Sequence, residues 1–198
     1  MIEKIKFALK QIIESKIHPG PPVDISYRSA CVFFLLFGER EPHLLAIQKS
    51  DKEGYPWRNQ VALPGGHLDK EDSGPVGAVF RELEEELNIT KDQVELLGSM
   101  GHFQTINSTD IEVFIGLWNG KGTIRFDSEE ISRVLKIPLL ELIRIHKENK
   151  FHGQIPEVQD LLYPFKDVVI WGATARILHY FIELLYPYLE KNGELTSK

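Results

Sequence analysis

Three glutamates set the chemistry open to this chain. In the stretch Val61 to Ile89, VALPGGHLDKEDSGPVGAVFRELEEELNI, an apolar run closed by Pro64 leads through Gly65, Gly66 and Gly74 into a segment dense with glutamate. If Val76 to Leu87 is helical, a rotation of about 100° per residue places Val76, Val79, Phe80, Leu83 and Leu87 on one apolar face. The same wheel gathers Glu82, Glu85 and Glu86, at i, i+3 and i+4, on roughly the opposite arc, and Glu84 falls outside it. Like charges at those spacings repel by a few tenths of a kcal/mol per pair. A sequence that keeps them together beside one arginine therefore reads as a set of oxygens for a hard divalent cation such as Mg²⁺. Arg81, at i, i+4 from Glu85, would hold that carboxylate in a fixed rotamer. The competing reading is a solvated acidic face, and the preceding Gly65-Gly66 pair weighs against it because it permits close approach of the backbone to a metal or phosphate.

These side chains need a scaffold, and the chain supplies elements of both kinds. Residues 1–17, MIEKIKFALKQIIESKI, carry apolar residues at helical spacing, with Ile2, Ile5, Leu9, Ile12 and Ile13 inward. His18 to Pro22 breaks the pattern and reads as a linker. Ala30–Phe37 and His43–Gln48 are strand-like and flank a polar turn, a hairpin pattern. The polar stretch Ser50–Gln60, with Gly54 and Pro56, is a loop that would deliver Trp57 and Arg58 to the rim of the glycine-bearing segment. Val94–Phe103, Ile111–Trp118 and Thr123–Phe126 read as strands, the last two joined by the turn signal Asn119 to Gly122. Pro138 starts a helix through about Lys147, Val168–Trp171 is a short strand, and residues 173–189 form a long final helix with Ala175, Ile177, Leu178, Phe181, Leu184 and Leu185 toward the core. The strands and helices lack a regular parallel rhythm, so the expected architecture is α/β with a mixed sheet between helices. No repeat or second boundary is evident, and 1–198 reads as one domain.

Composition excludes several classes. The 198 residues are 42% hydrophobic and 26% charged, an ordinary globular balance. A net charge of -6 argues against a general nucleic-acid or anionic-membrane binder. No apolar run approaches the roughly 18 residues that span a bilayer, and the N-terminal segment lacks the continuous apolar core of a secretory signal. The single cysteine, Cys31, cannot form an internal disulfide and sits in an apolar run as a core residue, consistent with a reducing, cytoplasmic setting. The seven histidines show no metal-ligand spacing of the HxxxH kind. His67, beside the glycines, is the one placed near the acidic helix. The terminal helices would equally close one domain or build a homodimer.

Arg81-Glu82-Leu83-Glu84-Glu85-Glu86-Leu87-Asn88-Ile89 resembles the second half of the box of the Nudix hydrolases, R-E-U-x-E-E-x-G-U with U apolar, with Asn88 in place of glycine. Asn is the next residue most tolerant of a left-handed conformation, so that change is mild. In the first half, Asp72 stands where the box has glutamate after Gly66, and eight residues rather than the usual seven separate it from Arg81. This longer box is similar to that of the coenzyme A diphosphatase branch. Other pieces point the same way: Leu44-Leu45 with Ser50, the run Gln60 to Gly66, Glu130-Ile131 followed by Ile137-Pro138-Leu139, and Trp171-Gly172-Ala173-Thr174-Ala175. The likeness covers about residues 30–185. It departs at Trp57-Arg58-Asn59-Gln60, where that branch usually reads His-x-Gly-Gln.

The resemblance implies an α/β/α sandwich and a Mg²⁺- or Mn²⁺-dependent hydrolase of a diphosphate linkage in a small-molecule nucleoside diphosphate derivative, coenzyme A-like. An ADP-ribose, dinucleotide or nucleotide-sugar diphosphatase is the alternative, and a non-catalytic nucleotide-sensing domain a third. It implies metal ligation by Glu82, Glu85, Glu86 and the Gly66 carbonyl, with Glu86, Glu85 or Glu130 as the base and Arg81 beside them. Glu130 reads equally as a helix-start residue. Substrate contacts fall to Gly65, His67, Trp57 and Arg58: Arg58 would grip a phosphate and Trp57 stack on a base, or Trp57 would simply cap the fold.

Overall fold

In the computed structural model, which describes residues 1–24, 26–54 and 57–191, alternation along one strand divides the interior in two. Strand β1 (Arg28–Phe37) turns Cys31, Phe33 and Leu35 toward one layer of core. Phe34 and Leu36 point to the other, the period-2 geometry of a sheet buried on both faces. Around it assemble β2 (His43–Lys49), β3 (Val61–Ala62), β4 (Gly65–His67), β5 (Val94–Gln104), β6 (Thr109–Trp118) and β7 (Ile131–Pro138). The order is β3-β2-β1-β6-β5, with β4 also paired to β1 and β7 to β2. β1 and β6 run parallel; the other pairings are antiparallel. The sheet is therefore mixed, as expected.

One face carries helix α2 (Pro75–Leu87), whose Ala78, Val79, Phe80, Leu83 and Leu87 pack on Phe33, Leu35 and Ile47. Burying four such large side chains is worth on the order of 6–12 kcal/mol before entropy is subtracted. The opposite face carries α1 (Ile2–Ser15) and α4 (Gly172–Lys191), with α3 (Leu139–Glu148) and the hairpin β8 (Tyr163–Phe165) and β9 (Val168–Ile170) beside them. The architecture is α/β/α. Ile2, Ile5 and Leu9 of α1 are buried, with Ile12 and Ile13 packed partly against the same core, and all six apolar residues expected inward on α4 are buried.

Some expectations fail. Thr123–Phe126 is not a strand; its backbone instead caps the end of α2, with Arg125 N–H donating to Leu87 O and Asn88 Nδ2 donating to Thr123 O. The strand in this part of the chain is β7, which pairs with β2. Glu130 therefore ends a turn before a strand and does not begin a helix. Val76 is exposed, in the first turn of α2, while Ala78 and Glu86 are buried on that helix in addition to the other expected residues. Gly65 and Gly66 lie in a short strand rather than a loop. Pro56, in the loop read above, lies outside the described residues. No helix among the described residues is long and apolar enough to cross a membrane.

Candidate active site

Strand β4 is the seam on which the site is built. Gly65 and Gly66 pair with Val32 and Cys31 of β1, and α2 lies across them. Gly65 has φ 143°, and a Cβ there would collide with Cys31 O and come within 2.6 Å of Val32 Cα. Gly66 does not need a positive φ, but a Cβ on it would run into the Glu82 carboxyl group, 2.7 Å from Oε2. The two glycines thus have different jobs: the first lets two backbones touch, and the second makes room for a carboxylate.

The three glutamates of the arc occupy three environments. Glu86 is nearly enclosed, its side chain 5% exposed; Oε2 accepts the Gly65 N–H at 2.9 Å and Oε1 accepts Lys49 Nζ at 2.8 Å. Burial pushes its carboxyl above the usual range, against the pull of Lys49 and the Gly65 amide. Glu82 is partly covered, and burial likewise raises it despite Arg81. Glu85 stands at the surface with Oε2 accepting from Arg81 Nη1 at 2.9 Å. Glu84 is exposed. Burial thus opposes the charge on Glu82 and Glu86 even with Arg81 and Lys49 in contact, and a further cation would favour their charged forms.

Arg81 does more than hold Glu85. Its Nε and Nη2 donate to both oxygens of Asp72 at 2.9 and 3.0 Å, Nη2 also reaches His67 O, and Nη1 is shared between Glu82 and Glu85. Asp72, read above as a departure from the usual glutamate, is nine residues back along the chain and takes the two-pronged contact. The Arg81 guanidinium in turn holds its carboxyl below the usual range. The fork therefore ties the 67–72 segment to α2 and fixes two carboxylate rotamers.

Lys49, at the end of β2, joins this candidate site although its sequence surroundings did not mark it. Its ammonium bridges Glu86 at 2.8 Å and Glu130 at 3.1 Å. Burial alone would pull it down, but Glu86 and Glu130 outweigh that and keep it charged. The contacts span 37 and 81 residues, and a lysine closing an apolar strand gives no local sign of them. It brings Glu130 to the same edge as Glu86.

The expected substrate contacts divide. Gly65 lies against α2, its N–H donating to Glu86 Oε2. His67 is exposed, Nδ1 3.3 Å from Ser29 O, and borders a cleft of about 350 Å³ with Arg28, Ser29 and Leu68. Arg58 Nε donates to Asp51 at 2.6 Å, within its own loop, and the neighbouring Trp57 is 44% exposed. Asn59, standing where the resembled branch has glycine, adopts φ 59°. Asn tolerates this left-handed conformation better than most residues other than glycine.

A family model for the NUDIX domain matches residues 27–159. Among curated relatives, NudL of Photorhabdus laumondii, called an uncharacterised Nudix hydrolase, is 28% identical over 167 residues, covering 81% of this chain and 88% of NudL. The NUDIX domain of Shewanella oneidensis NrtR, solved with ADP ribose, superposes with a TM-score of 0.54 at 14% identity, over 88% of this chain and 97% of that one. A MutT/nudix family protein from Enterococcus faecalis gives 0.53 at 16% identity, over 91% and 74%. At such identities the two structures speak to the fold alone.

Proposed function

Because this chain belongs to the NUDIX domain family, we propose that it is the hydrolase of a diphosphate linkage in coenzyme A or an acyl-coenzyme A, working with Mg²⁺ or Mn²⁺. The observation that carries the chemistry is the packing of Glu82 and Glu86 against the Gly65-Gly66 strand, with Arg81 and Lys49 ordering them. The substrate assignment rests on the longer box, the Leu44-Leu45 and Gln60–Gly66 segments and the Trp171–Ala175 stretch.

The donor set fits a hard cation: oxygens only, crowded, and covered enough that burial opposes their charge. Glu82, Glu85, Glu86 and the Gly66 carbonyl would hold it. When bound, the ion supplies charge neutralisation at the diphosphate and acidifies a bound water. The protein's own residues do the rest. Glu86 is raised toward the range where a carboxylate takes up a proton effectively, and Glu85 and Glu130 are the other candidates for that transfer. Arg81 positions Glu82 and Glu85, and Lys49 holds Glu86 and Glu130 at one edge. The rim of Trp57, Arg58 and His67 borders the substrate.

The test is a panel of coenzyme A, acyl-coenzyme A, ADP-ribose, NADH and UDP-sugars with Mg²⁺ or Mn²⁺, products identified by mass. Cleavage of the coenzyme A diphosphate is expected. Hydrolysis of ADP-ribose without coenzyme A would overturn the substrate, and binding without turnover would favour a sensing role.

A pH dependence follows from the raised carboxyls. Cation ligands must be deprotonated, and Glu82 and Glu86 protonate at higher pH than an ordinary glutamate near about 4.3. Apparent Mn²⁺ affinity is therefore expected to fall, with proton release on binding, before the pH has dropped to that ordinary value. Calorimetric titrations at several pH values check this; an affinity that holds steady down to the ordinary carboxylate range would contradict it.

A further inference from the structure

On the face of the sheet opposite α2, a second cluster of ligating side chains is assembled from residues far apart in sequence. His146 of α3 is fully buried. His179 and Glu183 of α4, one helical turn apart at i, i+4, face it. One ring nitrogen of each histidine and one Glu183 oxygen lie within 4.8 Å of one another. His146 Nε2 is 2.8 Å from Glu183 Oε1, and His152 Nδ1 is 2.9 Å from the same oxygen. The absence of an HxxxH spacing hid this group, since its i, i+4 pair is a histidine and a glutamate and its third member comes from another helix.

The outer hydrogen bonds are those of metal-binding imidazoles, whose second nitrogen is held by a carbonyl or other fixed group. His179 Nε2 contacts Phe151 O at 3.3 Å; a carbonyl only accepts, so Nε2 carries the proton and Nδ1 keeps its lone pair. His146 Nδ1 lies 2.8 Å from the Tyr163 hydroxyl. A shift of its proton from Nε2 to Nδ1, with the hydroxyl turning to accept it, frees Nε2 as a ligand. Glu183 Oε2 is already anchored by the Gly153 N–H at 3.1 Å. Ligand atoms at about 2.0–2.1 Å from a tetrahedral ion sit roughly 3.4 Å apart, so the hydrogen-bonded His146–Glu183 pair would open by a few tenths of an ångström while the wider separations, all within 4.8 Å, close by side-chain rotation. A cavity of about 530 Å³ borders His179, Glu183 and Gly153, giving an ion a way in and leaving a fourth position for His152 or water.

We propose that His146, His179 and Glu183 form a second metal site, for Zn²⁺ or a similar transition ion, pinning α3 to α4. Two imidazoles and one carboxylate select this class of ion, whereas the all-oxygen set on α2 suits Mg²⁺ or Mn²⁺. The site is independent of the reaction assigned above and goes beyond it.

The test uses the full chain with excess Mg²⁺. Zn²⁺ is expected to bind at one per chain and raise Tm, and Co²⁺ to give the visible bands of a four-coordinate ion. His179→Gln and Glu183→Gln should each weaken Zn²⁺ binding by about 100-fold or more, and Glu82→Gln should leave it unchanged. X-ray absorption on the Zn²⁺-loaded wild type should show imidazole scattering, a readout that stands even if a variant fails to fold. An oxygen-only shell, equal Zn²⁺ affinity in folded His179→Gln and wild type, or loss of binding in Glu82→Gln would each overturn the proposal.

Discussion

Replacing Glu86 by glutamine is expected to lower kcat by about a hundredfold or more, the scale set by losing a proton acceptor or an ionic ligand at the reacting centre. The substitution keeps shape and changes donors. The Glu86 carboxylate now accepts from two directions, Gly65 N–H on Oε2 and Lys49 Nζ on Oε1. A glutamine offers one oxygen, so its amide nitrogen must face one of those donors, and a buried donor left unpaired costs about 1–3 kcal/mol. The variant should therefore still fold, with a modestly lower Tm, while turnover collapses. Glu84→Gln is the companion: Glu84 is exposed and off the arc, and this variant should behave as wild type. Steady-state kinetics on both chains decide the matter, and near wild-type turnover by Glu86→Gln would refute the role given to Glu86.

The second large effect separates the two glycines. Gly65→Ala puts a methyl group into the Cys31 carbonyl and against Val32 Cα at a φ of 143°. Backbone strain and overpacking each cost about 1–3 kcal/mol, so a loss of at least about 2 kcal/mol is expected, a large share of the stability of an ordinary domain. Gly66→Ala meets only the end of the Glu82 side chain. That side chain can swing aside, so the fold should lose less. The carboxylate then leaves its place over β4, and a displacement of about 1 Å at such a site is enough for roughly 100-fold in rate. Urea unfolding and kinetics on the pair should therefore rank them oppositely: Gly65→Ala worse in stability, Gly66→Ala nearly intact in stability but poor in turnover. A Gly65→Ala chain as stable as wild type, or a fully active Gly66→Ala chain, would contradict the geometry described.

What could be read from the sequence was what depends on near neighbours. The inward faces of α1 and α4 and the burial of Val79, Phe80, Leu83 and Leu87 follow from a 3.6-residue period, and the placing of Glu82, Glu85 and Glu86 on one arc follows from the same wheel. Asn88 ends α2 with φ 56°, as its tolerance of that conformation suggested. What was not legible depends on partners distant in the chain. Glu86 sits on the arc with Glu85, yet one is enclosed and the other exposed, because β4 and Lys49 close over only the first. Thr123–Phe126 has the β-branched and aromatic residues of a strand, but its partner is the end of α2. Ile131–Pro138 carries Ser132, Arg133 and Lys136, which mask a strand whose identity comes from pairing with β2. Arg81 was legible as a partner of Glu85; its stronger hold on Asp72 was not, since the two lie across a turn.

The measurement that bears most directly on the proposed reaction is the mass spectrum of coenzyme A after incubation with the wild-type chain and Mg²⁺, beside a sample treated with chelator. The expected result is the pair of fragments from cleavage within the diphosphate, absent under chelation. Intact coenzyme A, in a preparation that cleaves ADP-ribose under the same conditions, would contradict it.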